Sequence, residues 1–91
     1  MMTQAEEILQ AVSVLIKEKG KKTFTRLDIR RQINPDKKRW ENNYSPTFQG
    51  MRVDGPGGAN NVGKKFQGIF QQVKHGVHIL TEYGKEMIKK Y

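Results

Sequence analysis

Near the start of the chain the apolar positions fall on one helical stripe. Ile8, Leu9, Val12, Leu15 and Ile16 recur at three- and four-residue steps, the spacing of an amphipathic helix. Thr3 can cap that helix, and Glu6 completes a capping box. Lys17 and Lys19 suit the negative end of the helix dipole, and Gly20 supplies a left-handed stop. A second helix is predicted from Thr25, with Asp28 at the third position of a similar box. Phe24 and Ile29 occupy the two positions of a hydrophobic staple. Ile29 and Ile33 should face the first helix, with Arg26 and Arg30 on a neighbouring row and Leu27 and Arg31 on another. Asn34-Pro35 ends it.

Residues 36–44 read as an irregular basic connection containing one helical turn around Lys37 to Trp40, with Trp40 and Tyr44 packed over the helix junction. Ser45-Pro46 then reads as a helix start, a capping serine before a proline at the first helical position. That helix can run only to about Val53, because Asp54-Gly55-Pro56-Gly57-Gly58 breaks it. Phe48 and Met51 form its inward pair. Gln49, Gly50 and Val53 face outward, and Thr47 and Arg52 lie on the flanks.

The period then changes. Ile69, Gln71 and Val73 alternate with Phe70, Gln72 and Lys74, and His75-Gly76 separates this run from Val77 to Leu80. A tight β-hairpin follows. Both faces carry apolar residues, so the inward parity stays open. Thr81 caps a last helix from Glu82 to about Lys90.

Length and composition narrow the classes. A chain of 91 residues is one small domain, 1–91, with a thin core. Without cysteine it has no disulfide, zinc ribbon or thiol nucleophile. His75 and His78 alone are too few for a metal site, so neither metal nor cofactor is expected. No basic-then-apolar leader and no long apolar run occur, so a cytoplasmic domain, free or nucleoid-associated, without membrane contact is expected. No nucleophile–base pair or paired carboxylates point to catalysis or to a small-molecule substrate.

Charge adds a direction. Seventeen Lys/Arg against nine Asp/Glu give a net charge of +8. Residues 19–39 hold Lys19, Lys21, Lys22, Arg26, Arg30, Arg31, Lys37, Lys38 and Arg39 against only Asp28 and Asp36. A soluble surface needs charge, but arginines mixed in beside predicted helix ends favour a polyanion partner.

The element order, with a basic second helix and a hairpin closing in Leu80-Thr81-Glu82-Tyr83-Gly84-Lys85, resembles a winged helix-turn-helix domain. That resemblance implies an α+β fold of three N-terminal helices, an antiparallel β-hairpin wing and a C-terminal helix. Phe24 to Ile29, Ser45 to Arg52 and Pro56-Gly57-Gly58-Ala59 are similar to a group of small archaeal and bacterial winged-helix domains. Two features depart from the pattern: a connection of about ten residues between the second and third helices, against the usual turn of about 3–4, and a glycine-rich loop before the hairpin.

That loop partly matches a phosphate-binding pattern, since Gly58-Ala59-Asn60-Asn61-Val62-Gly63-Lys64 fits its first seven positions. The next residue is Lys65 where a hydroxyl should hold magnesium. A helix precedes it and a strand follows, the reverse of what the pattern needs. Nucleotide binding is therefore set aside.

The reading that remains is double-stranded DNA binding. By resemblance the third helix enters the major groove, with Thr47, Gln49 and Arg52 at base edges, Gln suiting adenine and Arg guanine. Arg26, Arg30, Lys37, Lys38 and Arg39 would sit on phosphates, joined from the wing by Lys64, Lys65, Lys74 and His75. The alternative is a docking module for a protein partner or a second copy, through Tyr83, Met87, Ile88 and Tyr91 of the last helix. RNA is a third polyanion that charge alone does not separate from DNA.

Overall fold

The computed structural model describes residues 3–53 and 64–91. Helix α1 spans Gln4–Lys17, and its capping box forms as expected: Thr3 accepts from the Glu6 N–H while Glu6 reaches back to the Thr3 N–H. Its apolar stripe buries Ile8, Leu9, Val12 and Leu15. Gly20 lies at φ 67, and the Lys21 N–H returns to the Leu15 carbonyl at 3.0 Å.

Helix α2, Arg26–Ile33, starts on the second predicted box, with Thr25 N–H on Asp28 Oδ2 at 2.9 Å and Asp28 N–H on Thr25 Oγ1 at 3.1 Å. Ile29 is buried and Ile33 packs partly buried against the same core. Asn34 ends the helix in the left-handed region at φ 58.

The following segment corrects the sequence reading. Residues 37–44 are helical, and Ser45 does not cap a helix. Asp36 does, accepting from the Arg39 N–H at 2.7 Å. Helix α3, Lys37–Arg39, runs into a π-helical turn, Trp40–Tyr44, and then into α4, Ser45–Met51. Tyr44 and Ser45 both keep right-handed helical dihedrals, so the chain does not break there. Pro46 explains the widened turn. Its ring presses on the preceding turn and it offers no N–H; a π turn relieves both inside a helix. The same turn places Trp40 and Tyr44 in the core, with stacked rings 6.1 Å apart. Only Asn34, Pro35 and Asp36 now separate α2 from α3.

After a 3₁₀ turn at Lys64–Phe66, strands β1, Phe70–Lys74, and β2, Val77–Leu80, form an antiparallel hairpin. Its two-residue turn is His75-Gly76, with Gly76 at φ 78, and a register irregularity lies between Gln72 and Lys74. The open parity resolves: Phe70, His78 and Leu80 are buried, whereas Gln71 and Val73 are exposed. Both edges of the hairpin are tied down. Phe24 exchanges two backbone hydrogen bonds with His78, at 3.0 and 2.9 Å. On the other edge Ile69 N–H donates to Met51 and Val53 N–H to Phe70, at 2.9 and 2.8 Å. The hairpin therefore takes its position from Phe24, just ahead of the α2 cap, and from the end of α4.

Helix α5, Glu82–Ile88, begins at Thr81, whose hydroxyl accepts from the Gly84 N–H at 3.0 Å and donates to the Gly68 carbonyl at 2.7 Å. Lys17 Nζ closes its far end on the Ile88 carbonyl at 3.1 Å. The result is an α+β fold, helices around a small antiparallel hairpin. Among the described residues no helix is long and apolar enough to cross a membrane.

Candidate nucleic-acid interface

A residue expected on phosphate, two expected at base edges and one expected as a cap meet in one cluster. Arg26, on the first turn of α2, donates through Nη1 to Ser45 Oγ at 2.9 Å and through Nη2 to Gln49 Oε1. Arg52 Nη1 donates to the same Gln49 oxygen at 3.0 Å. The Arg26 guanidinium lies over the Phe48 ring, 5.2 Å from its centroid. Burial lowers its proton affinity from the ordinary value, and the Arg52 charge adds to that. It stays cationic all the same, as an arginine does in any folded protein. Arg26 thus fastens α2 to α4 as well as carrying charge.

Ser45 and Gln49, four apart, share one face of a helix already running at Ser45, and Arg52 reaches the cluster from the extended residue that ends α4. Sequence reasoning missed Ser45 because the serine was spent as a cap. Thr47, half-buried, turns its hydroxyl to the Asn43 carbonyl at 2.7 Å, so it presents a methyl and an acceptor oxygen rather than a donor.

The predicted phosphate contacts divide. Lys37, Lys38, Lys65, Lys74 and His75 are exposed, and Arg30 is half-buried. Arg39 is exposed yet engaged: Nη2 donates to the Tyr44 hydroxyl at 2.8 Å, and that hydroxyl donates to Glu7 Oε2 at 2.6 Å. Burial raises the Tyr44 proton affinity, and Glu7 raises it further. Lys65 also lies 4.9 Å from the Phe66 ring, while its carbonyl accepts from the Tyr83 hydroxyl. Lys64 opens the 3₁₀ turn. The glycine-rich stretch at 54–63, weighed above as a phosphate loop, lies outside the described residues.

The surface expected to dock a protein is largely used up. Met87 and Ile88 are core residues and Tyr91 packs partly buried against the same core, leaving Tyr83 as the exposed aromatic of α5. A depression of about 380 Å³ lies between α1 and α2, lined by Glu7, Gln10, Ala11, Val14, Gln32 and Ile33. Its one carboxylate already accepts from Tyr44. No group of His, Cys, Asp and Glu placed to hold a metal occurs among the described residues.

No protein-family model, curated protein or solved structure matches the chain.

Proposed function

We propose that the chain is a winged helix-turn-helix domain that binds double-stranded DNA without catalysis. In this reading α4 lies in the major groove and the β1–β2 wing rests on the phosphate backbone. The observation that carries it is the connection Asn34–Pro35–Asp36 between α2 and α3. It has the length of a helix-turn-helix turn, where the sequence suggested a much longer one. Two further features support it. The hairpin is hydrogen-bonded to Phe24, just before α2, and to the end of α4, which would fix a wing relative to a groove-reading helix. Exposed cations sit on α3 and at the hairpin turn, the surfaces that would flank the duplex.

The test is a titration of duplex DNA, duplex RNA and single strands at low salt, following backbone amide shifts. Shifts confined to α4, the start of α3 and the hairpin turn, and strongest with duplex DNA, are the expected result. Equal shifts with duplex RNA would make the domain a general duplex binder. Silence with every nucleic acid would leave the docking-module reading in its place.

A further inference from the structure

Gln49 receives two guanidinium groups on one oxygen, from Arg26 and from Arg52. Guanidinium groups only donate, so the amide corner facing them is the oxygen by chemical necessity. The amide nitrogen then occupies the opposite corner, and among the described residues no hydrogen bond uses it. The clamp is itself held, because Arg26 is fixed by Ser45 Oγ at 2.9 Å and by the buried Phe48 ring beneath it. Rotating the amide would set two cationic donors against an NH₂ group.

A glutamine reads adenine with both ends of its amide, the oxygen accepting from N6 and the nitrogen donating to N7. At Gln49 the oxygen already carries two charged donors. We propose that Gln49 is a donor-only reader that selects guanine, whose O6 and N7 are both acceptors in the major groove. Arg26 and Arg52 are its positioning residues. This inference rests on the DNA-binding reading above and reverses the adenine preference that the residue type alone suggests.

The test is selection from a randomised duplex pool with the wild type, Gln49→Ala and Gln49→Glu, followed by affinity measurements on the selected site and its single-base variants. The wild type should enrich guanine at one position, where a wrong base weakens binding about 5- to 100-fold, the range of a good bidentate contact. Gln49→Ala should abolish that preference. Gln49→Glu keeps an oxygen for the two arginines but exchanges the donor for an acceptor, so the preference should move to cytosine, whose N4 amine donates. Adenine at the Gln49-dependent position, or an unchanged site in Gln49→Ala, overturns the inference while leaving DNA binding intact. Should the variants not fold, a wild-type site with no required guanine overturns it equally. No binding to any duplex at low salt removes both readings together.

Discussion

The Cα of Gly84 faces the carbonyl oxygen of Ile69 so closely that a Cβ built on Gly84 would fall inside van der Waals contact with it. Ile69 is also where the Thr81 N–H lands, at 3.0 Å, so that carbonyl cannot give way without loosening the start of α5. The Gly of the Leu-Thr-Glu-Tyr-Gly-Lys stretch is therefore explained by space. Gly84→Ala should cost about 1–3 kcal/mol, the usual cost of overfilling a packed site. Urea denaturation checks it, and a loss below about 0.5 kcal/mol, the range of a neutral surface change, would show that α5 simply shifts outward.

What the sequence made legible was local chemistry. The boxes at Thr3/Glu6 and Thr25/Asp28, the cap at Thr81 and the turn at His75-Gly76 each involve residues three or fewer apart, and each is present. Ser45-Pro46 misled because serine before proline suits both a helix start and the wide turn ahead of a proline inside a helix. Nothing in the spacing of residues 45–53 tells the two apart; the burial of Trp40 and Tyr44 does. Hairpin parity was illegible for a similar reason, since the partners at Phe24 and Arg52 that fix it are distant in sequence. The Arg26–Gln49 contact likewise spans 23 residues, so the candidate interface could be named residue by residue but not assembled.

The caps give stability a defined acid limb. At Asp28 burial pushes the carboxyl up, but the Thr25 N–H and the Lys21 ammonium outweigh it and hold the proton affinity below its ordinary value. A folded-state value below the unfolded one means that the unfolded chain binds more protons in the window between them. The contribution is therefore complete above the ordinary aspartate range and is lost as pH falls through the lower, folded value. Asp28→Asn keeps a carbonyl for the Thr25 N–H and removes the charge. Its stability deficit should be present at neutral pH and vanish in strong acid, as read from denaturation midpoints across pH. A deficit that does not change with pH would mean that the Asp28 charge contributes nothing.

The chain has a single tryptophan, and its burial reports on the π turn. Trp40 is 7% exposed and stacks on Tyr44. Deleting the exposed Asn42 in a Pro46→Ala background removes both the extra residue of the turn and the ring that widens it, and lets the segment close as an ordinary helix. That change rotates Trp40 by about 100°, one residue's turn of an α-helix, away from the core. Its emission should shift to the red and become accessible to iodide, with a large loss of stability. Unchanged emission would mean that the core, rather than the turn, dictates where Trp40 points.

The division among the cations predicts which of them act on binding alone. Lys37, Lys38, Lys65, Lys74 and Arg30 have no hydrogen bond to another side chain among the described residues, whereas Arg26 joins α2 to Ser45 and Gln49. If about five such cations neutralise phosphates, log K for duplex DNA should fall against log[salt] with a slope near −4 to −5. Lys37→Ala and Lys74→Ala should each flatten that slope by about one unit and leave stability within about 0.5 kcal/mol. Arg26→Ala should behave differently. It takes the charged donor from the Ser45 hydroxyl, which costs about 1–3 kcal/mol of folding stability, and it leaves Gln49 Oε1 to Arg52 alone, half of its clamp. It should flatten the slope by no more than about one unit and, beyond that, lower affinity most heavily on the preferred site. Salt titrations by fluorescence anisotropy, paired with denaturation of each variant, separate the two behaviours. If Lys37→Ala and Lys74→Ala change neither affinity nor slope at low salt, the basic surface serves solubility and the duplex lies elsewhere or nowhere.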